Sequence, residues 1–325
     1  MENINFLNSK NEAEVEIFFD EIEPEKECNY LILGALFINT KDKDKILREL
    51  LDFRCQNNKK RRWDSEFSDC KNKNNCKESW HKMNNTEIHF NEIRESRHNK
   101  SQINISKSWI NFFINKNLVY INILYIDLTK LDTSFFGDKK VNANIYNKFF
   151  RTVINYGLKC FFSNYDRVKI KNIFYDKKGE LERHYFFNNL NFDKVVYESK
   201  ENIELLGRII FIDSDHKLEK SYIQESQLIQ LVDLILGTVR QNIFYISKDK
   251  VKNEISKILT KAMLDLKREY WSVKYLKISF FPKNKIISIL DLNNDKTYEK
   301  NDEFLHLDSF ELRMPTQSTN LSKWL

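Results

Sequence analysis

The stretch from Gly207 to Arg240 constrains the fold of this chain more than any other part of the sequence. It opens with a short apolar run that ends on Asp213, which is typical of a β-strand that carries a carboxylate at its end. After a charged loop, the residues from about Glu225 predict a helix that is apolar around most of its circumference. A helix of this kind has to be buried, so we expect it to complete the core of an α/β domain.

One polar stripe interrupts the apolar helix. Ser226, Gln230, Asp233 and Gly237 recur at helical spacing on a single face. A buried Asp is costly unless a positive group or a metal ion compensates its charge. Asp233 is therefore either a satisfied structural residue or a metal ligand, and the acidic strand end just before the helix favours the second interpretation. Gly237 would then allow another element to approach the helix closely.

The composition excludes several functional classes. The chain has 325 residues and only 6 glycines, and it contains no Gly-rich phosphate loop of the kind that nucleotide-dependent enzymes use. Its 5 cysteines, an odd number, argue against a disulfide framework, and we find neither a signal peptide nor an apolar run long enough to span a bilayer. We therefore expect a cytoplasmic protein, and its net charge of +6 is compatible with a nucleic-acid partner.

Apolar periodicity predicts a chain in which strands and helices alternate. Strands are predicted at residues 14–20, 30–38, 87–93, 118–127, 168–176 and 209–212, and helices at residues 42–53, 105–117, 141–158 and 180–190. The first two strands are expected to form a hairpin around Pro24. Beyond the long apolar helix, the pattern predicts an amphipathic helix at 248–270, a pair of strands at 275–281 and 286–292, and a polar tail. We therefore predict a core domain at 1–247 and a C-terminal α+β extension at 248–325 that packs on it.

Four of the predicted strands end on an Asp that follows a large apolar side chain by two residues: Asp20, Asp127, Asp176 and Asp213. One such ending means little, because Asp is a common turn residue. Four of them, together with Asp233, predict carboxylates gathered at one sheet edge, where like charges raise each other's pKa unless cations lie between them. Two Mg²⁺ or Mn²⁺ ions held by carboxylates form an arrangement that cleaves phosphodiesters.

These segments resemble the RNase H-like (integrase-type) nuclease fold, a mixed sheet flanked by helices. More narrowly, they resemble the bacterial domain-of-unknown-function family numbered thirty-eight hundred. That family has a first strand ending in Asp-Glu-Ser, an apolar strand with a glycine, a Glu-x-Lys-aromatic segment, two later acidic strand ends and a helix containing Gln-Leu-Ala-Asp-Leu. The matching segments here are Asp20-Glu21-Ile22, residues 30–38 with Gly34, Glu87-Ile88-His89-Phe90, Asp176, Asp213-Ser214, and residues 230–234 followed by Gly237. Ile22 and His89 depart from the Ser and the Lys of the family.

The resemblance covers roughly residues 15–241 and implies a metal-dependent nuclease of a kind common in bacteria and mobile elements, with phage defence as a hypothesis for its role. It implies that Asp20 bridges two metal ions, that Asp233 completes the second metal site, and that Glu87 is a further ligand or a base, a role for which Glu92 is the alternative candidate. Asp127 ends the strand that we expect beside the first one, whereas Asp176 matches the family better, and both remain candidate ligands. The implied reaction is in-line attack of a metal-activated water on a phosphodiester.

A polar, basic insert at residues 55–86 interrupts the predicted core. Cys55, Cys70, Cys76 and His81 loosely follow the spacing of a Cys-Cys-Cys-His site, which would hold a structural Zn²⁺ ion. The insert also combines basic residues with an aromatic one, a pattern that contacts phosphates and stacks a base: Lys59, Lys60, Arg61, Arg62 and Trp63. A solvated basic loop with free thiols is the alternative interpretation of the same residues.

The patterns together predict a divalent-metal-dependent nuclease that acts on RNA or DNA. Two other functions fit parts of the sequence. A catalytically inactive protein that binds nucleic acid or a protein partner on the same fold would explain the departures at Ile22 and His89. A metal-dependent phosphohydrolase acting on a small nucleotide would not need the basic insert. A protein partner or a second copy of the chain is compatible with each of these functions.

Overall fold

A computed structural model describes residues 11–26, 28–54, 86–95, 100–136, 141–177, 203–266, 271–283 and 286–301. Its strands are β1 (Glu12–Ile22), β2 (Tyr30–Asn39), β3 (Val119–Asp127), β4 (Arg167–Asp176), β5 (Ile203–Leu205), β6 (Ile209–Ile212), β7 (Ser272–Val273), β8 (Leu276–Phe281), β9 (Ile286–Asp291) and β10 (Lys296–Asn301). Its α-helices are α1 (Lys43–Phe53), α2 (Lys100–Lys116), α3 (Val141–Phe161), α4 (Glu225–Phe244) and α5 (Lys250–Leu264).

A mixed, largely parallel sheet of 8 strands forms the centre of the described residues, in the order β5-β4-β1-β2-β3-β8-β7, with β6 also paired to β4. The first two strands form the predicted antiparallel hairpin. β1 is parallel to β4, while β3 is antiparallel to β2 and parallel to β8. The strands β1, β3, β4, β6 and β8 therefore all point the same way, so their carboxyl ends meet at one edge of the sheet. The predicted α/β class is confirmed.

Helices cover both faces of the sheet. On one face, α3 packs against alternate residues of β1 such as Ile17 and Phe19, which are fully buried. On the other face, residues of α1, α2, α4 and α5 form a second core, in which the rings of Phe18 and Phe174 stack with their centroids 5.0 Å apart. Because side chains alternate along a strand, Asp20 and Asp176, which follow Phe18 and Phe174 by two positions, point toward the α4 face.

Helix α4 is buried on all sides, as its apolar circumference predicts, and every residue from Ser226 to Asn242 is inaccessible or nearly so. It approaches the sheet closely because β2 carries Gly34 at the contact. A Cβ atom at Gly34 would lie 2.6 Å from Cδ2 of Leu236. Gly34 is also the cross-strand partner of Asp20. Helix α4 therefore lies directly over the level at which β1 presents its acidic residue.

The prediction of a strand at residues 87–93 is wrong. This segment is extended but forms no ladder, and it contains a 3-10 turn at Phe90–Glu92. Its backbone is satisfied by side chains of α4 instead of a neighbouring strand: the N–H of Ile88 donates to Gln230 and the N–H of Phe90 donates to Asp233. Alternating apolar residues therefore do not indicate a strand when polar side chains of a helix accept the hydrogen bonds.

The C-terminal strands are present, but they do not pair with each other as predicted. β8 joins the central sheet beside β3, whereas β9 pairs with β10 in a separate sheet of 2 strands. β10 comes from the stretch interpreted as a polar tail. The helix predicted at 248–270 is confirmed as α5, which ends earlier, at Leu264. The C-terminal part of the chain therefore contributes a strand to the central sheet.

Three predicted features lie wholly or largely outside the described residues: the insert up to residue 85, the helix at 180–190 and the polar tail beyond residue 301. None of the described helices is long and apolar enough to cross a membrane.

Candidate functional site

Asp20 and Asp176 lie side by side on neighbouring parallel strands, on the face covered by α4. Phe19 of β1 is level with Tyr175 of β4, so the next residue of each strand, Asp20 and Asp176, is level as well. The Cα atoms of Asp20 and Asp176 are then about 4.8 Å apart, which is the usual spacing of neighbouring strands. Asp20 is only 5% exposed, and its Oδ1 accepts a hydrogen bond from the N–H of Glu21 at 2.8 Å. Two of the predicted metal ligands therefore share one position on the sheet.

Asp233 lies on α4, near the same level of the sheet. It precedes Leu236, which contacts the sheet beside Asp20, by three residues, so it lies about 5 Å along the helix axis from the level of Asp20. Asp233 is 8% exposed. Its Oδ2 accepts a hydrogen bond from the N–H of Phe90 at 2.6 Å, and its Oδ1 lies 3.9 Å from Nε2 of His89. One oxygen of this carboxylate is therefore used to hold the segment at residues 86–95.

Glu87, which belongs to the segment at 86–95, joins that segment to the loop that follows β6. Its Oε1 accepts a hydrogen bond from the hydroxyl group of Ser214 at 3.0 Å. Burial raises the pKa of Glu87, the hydrogen bond from Ser214 opposes the rise, and the charge of Asp215 adds to it. A half-buried carboxyl group of this kind keeps a proton at a higher pH than a surface Glu does.

Gln230 joins the three elements that surround the site. Its Oε1 accepts hydrogen bonds from the N–H of Ile88 at 2.9 Å and from Nη2 of Arg54 at 2.6 Å. Its Nε2 donates to the carbonyl group of Ser214 at 2.6 Å. The polar stripe in the sequence singled out Gln230, but only the fold shows that it connects α4, the segment at 86–95 and the loop after β6.

Arg54 is a buried cation that sequence analysis missed. It is 1% exposed, its Nε donates to Oε1 of Gln227 at 2.6 Å, and its Nη1 donates to the carbonyl group of Thr86 at 2.7 Å. The guanidinium group also lies 4.9 Å from the ring centroid of Trp109. Burial lowers the pKa of Arg54 to about 9, and the charge of Glu87 partly offsets this effect. No local signal marks this residue, because it adjoins a segment that is rich in basic residues.

Gly237 allows Phe90 to approach α4, which confirms the close contact predicted for this glycine. A Cβ atom at position 237 would lie 2.2 Å from Cγ of the Phe90 ring. We expect Gly237→Ala to force the ring outward and to lower the free energy of unfolding by about 1–3 kcal/mol, despite the better helix propensity of Ala. Urea denaturation measures this change, and a variant as stable as the wild type would contradict the contact.

Asp127 lies apart from Asp20. The strand that ends on Asp127 is not beside β1, as we expected, because β2 separates them and β4 occupies the other side of β1. Ile123 is level with Gly34 and therefore with Asp20, so Asp127 lies four residues further along and two strands away. These offsets place the Cα atoms of Asp20 and Asp127 roughly 16 Å apart.

Asp127 instead caps the 3-10 turn that follows β3. Its Oδ1 accepts hydrogen bonds from the N–H of Thr129 at 3.1 Å and from its hydroxyl group at 2.6 Å, and its Oδ2 pairs with Nζ of Lys130 at 3.1 Å. Burial alone would raise the pKa of Asp127, but the bonds from Thr129 and Lys130 outweigh burial and lower it. Its contacts therefore account for this carboxylate as a turn residue.

Asp213 also has a local role. Phe211, two residues earlier, packs against the core on the α3 side of the sheet. Oδ1 of Asp213 accepts the N–H of Asp215 at 2.9 Å and so shapes the turn after β6. This turn brings the hydroxyl group of Ser214 to Glu87.

Among the described residues, no three His, Cys, Asp or Glu side chains are placed so that together they could hold a metal ion. The best-placed donors are the carboxylates of Asp20 and Asp176, level on neighbouring strands. Oxygen donors suit Mg²⁺ or Mn²⁺, and Mg²⁺ keeps several water ligands and needs only one or two carboxylates. These two residues therefore fit a hard divalent cation.

The predicted zinc ligands Cys55, Cys70, Cys76 and His81 and the basic residues 59–63 lie outside the described residues. Both ends of the insert are described, however, and the bond from Arg54 to Thr86 joins them. The insert therefore departs and returns next to Gln230.

In comparisons with known proteins, no protein-family model matches the chain, and no curated protein sequence matches it.

Proposed function

We propose that this protein is a divalent-metal-dependent nuclease that hydrolyses phosphodiester bonds in RNA or DNA. The observation that carries the proposal is the placement of Asp20 and Asp176 side by side at the carboxyl ends of neighbouring parallel strands, beneath α4. Two buried or half-buried carboxylates at one level repel each other, and a divalent cation is the partner that relieves the repulsion while providing hydrolytic chemistry.

We further propose that the fold is of the RNase H-like type, related to the family numbered thirty-eight hundred. The order of elements supports this: an antiparallel hairpin, helices, a strand, a helix, further strands, and then a carboxylate-bearing helix packed on the sheet. The contact between Gly34 and Leu236 and the contact between Gly237 and Phe90 give physical roles to two glycines of the quoted segments. The free thiols of Cys28 and Cys160 suit a reducing cytoplasm.

In this proposal Asp20 and Asp176 would hold the cation, and a cation bound there would supply a water of lowered pKa and offset charge on the phosphate. Asp233 holds the backbone of Phe90 with one oxygen and lies on α4 about 5 Å along the helix axis from the level of Asp20. Glu87, with its raised pKa and its bond to Ser214, is placed to hold or accept a proton.

The test compares substitutions of Asp176 and Asp127, the two strand-end residues between which the sequence does not distinguish. With Mg²⁺ or Mn²⁺, we expect the wild type to cleave at least one of single-stranded or double-stranded DNA or RNA. Asp176→Asn should lower that rate at least about a hundredfold, because it removes a ligand charge at nearly constant shape. Asp127→Asn is the matched control and should leave the rate within about threefold.

Equal losses in the two variants would contradict the proposed pair of ligands. A wild-type protein that binds these nucleic acids but cleaves none of them would favour the alternative, a binding protein on the same fold. The observation that favours testing this alternative is the hydrogen bond from the N–H of Phe90 to Asp233. It gives Asp233 a structural role that a protein without catalytic activity would also need.

A further inference from the structure

A further buried carboxylate lies behind Asp20, on the face of the sheet that α3 covers. Glu21 follows Asp20 on β1, so its side chain points to the same face as Phe19, which belongs to the core on the α3 side. Glu21 is only 4% exposed, and its cross-strand partner is the buried Leu33. An apolar residue at such a position is often at least as stable as a charged one, so stability alone does not account for Glu21.

Tyr175 of β4 is a hydrogen-bond partner of Glu21. It is 1% exposed and level with Phe19, and the two rings stack with their centroids 4.9 Å apart. Burial raises the pKa of Tyr175 well above its ordinary value, and the charge and hydrogen bond of Glu21, followed by the charges of Tyr146 and Asp20, add to the rise. The phenol hydroxyl group therefore donates to the carboxylate of Glu21, and Asp20 is close enough to act on it electrostatically.

Three aromatic rings pack around the side chain of Tyr175. Besides Phe19, the ring of Phe150 on α3 and the ring of Phe211 on β6 each have a centroid 5.5 Å from that of Tyr175. The ring of Phe150 also contacts that of Phe19, at 4.6 Å. A side chain packed in this way is restricted in its rotamer, so the surrounding rings hold the hydroxyl group of Tyr175 beside Glu21.

Glu21 connects Tyr175 to the carboxylate of Asp20. The backbone N–H of Glu21 donates to Oδ1 of Asp20 at 2.8 Å, while its side chain accepts the bond from Tyr175. The residue that follows Tyr175 on β4 is Asp176. A continuous path of contacts on the α3 side of the sheet therefore joins the two carboxylates that point toward the α4 face.

We propose that Glu21 and Tyr175, which we name the supporting pair, are positioning residues that hold Asp20 and Asp176 in the arrangement that binds a divalent cation. This inference rests on the proposed nuclease function and specifies which residues set the affinity of its metal site. Ligands that are themselves fixed by hydrogen-bonded neighbours bind metal ions more tightly. The supporting pair acts through the acidic residues, because its own side chains lie on the opposite face of the sheet.

Mn²⁺ binding in the absence of nucleic acid tests the supporting pair. The whole chain is titrated with Mn²⁺, electron paramagnetic resonance measures the free ion, and the Asp20→Asn protein identifies the site that depends on Asp20. We expect Tyr175→Phe to raise Kd of that site at least about tenfold, because it removes the hydroxyl group and keeps the ring.

Tyr120→Phe is the matched control. The hydroxyl group of Tyr120 donates to the carbonyl group of Asn117 at 3.3 Å, and its ring packs against the same α3 core. Tyr120 lies near the start of β3, at the edge of the sheet away from Asp20. The control therefore loses a hydrogen-bonded hydroxyl group on the same face, and Kd for Mn²⁺ should stay within about twofold of the wild type.

Two substitutions of Glu21 separate positioning from charge. The amide oxygen of Gln can still accept the bond from Tyr175, so Glu21→Gln should keep Kd within about threefold of the wild type. Glu21→Leu removes the acceptor and should raise Kd at least about tenfold. A Glu21 that bound the cation directly would lose the site in both variants. Thermal unfolding in EDTA shows which variants are folded, and the two Glu21 variants decide the question if Tyr175→Phe is not.

The role of the supporting pair is refuted if Tyr175→Phe binds Mn²⁺ as tightly as Tyr120→Phe, or if Glu21→Gln loses as much affinity as Glu21→Leu. A different failure belongs to the proposed function itself. If the wild type has no Mn²⁺ site that Asp20→Asn removes, the acidic residues do not bind the cation, and both proposals fall together.

Discussion

Asp20→Asn is expected to lower the rate of phosphodiester cleavage at least about a hundredfold, equivalent to about 2.7 kcal/mol in the barrier. Asp20 is 5% exposed and level with Asp176 on the neighbouring strand. Asn keeps nearly the same shape but removes the negative charge that holds a divalent cation. Initial rates at saturating Mn²⁺, on the substrate that the wild type cleaves best, measure the effect.

Glu14→Gln provides the matched control, because Glu14 is an exposed residue of β1 and the change from carboxylate to amide is the same. Thermal unfolding of both variants separates loss of activity from loss of fold. An Asp20→Asn protein that is well folded and fully active would remove the acidic pair from the mechanism.

Arg54→Met is expected to lower the free energy of unfolding by about 2–4 kcal/mol. Met fills much of the space of the aliphatic stem, but it leaves the carbonyl group of Thr86 and the amide oxygens of Gln227 and Gln230 without their buried donor. Replacing a buried charge by an apolar residue is often harmless when both partners are removed, but here the acceptors stay behind. Urea denaturation monitored by circular dichroism measures the loss.

Arg48→Met tests whether the loss is specific to the buried position, because Arg48 is exposed on α1 and its replacement should change stability by less than about 0.5 kcal/mol. Arg54→Lys should recover only part of the stability, since one ammonium group cannot reproduce the fixed fork of donors. If Arg54→Met were as stable as Arg48→Met, the network around Gln230 would have no role in holding the segment at 86–95.

The sequence predicted the strands β1 to β4 and the helix α4 well because buried elements carry apolar residues at regular spacing. Asp233 stood out for the same reason, as a charge within an otherwise apolar helix. The sequence could not choose between Asp127 and Asp176, because both end similar strands. That choice depends on which strand pairs with β1, and this pairing is fixed by contacts between distant parts of the chain.

Sequence analysis missed the residues that bond to Gln230 for a related reason. Arg54 and Ser214 act through partners far away in sequence, so no spacing rule links them to Gln230. The error at 87–93 has the same origin, since side chains of α4 accept the hydrogen bonds that a neighbouring strand would otherwise take. Local patterns specify elements, whereas the polar network is specified only when the elements have packed.

The bond between Arg54 and the carbonyl group of Thr86 has a consequence for how this chain can change over evolutionary time. The two residues are 32 positions apart in sequence, yet they meet at one partly buried point. The bond holds the two ends of the intervening stretch together, and each doubling of the length of that stretch costs only about 0.6 kcal/mol of closure entropy. Descendants of this chain could therefore lengthen, shorten or exchange that stretch at little cost to the stability of the core.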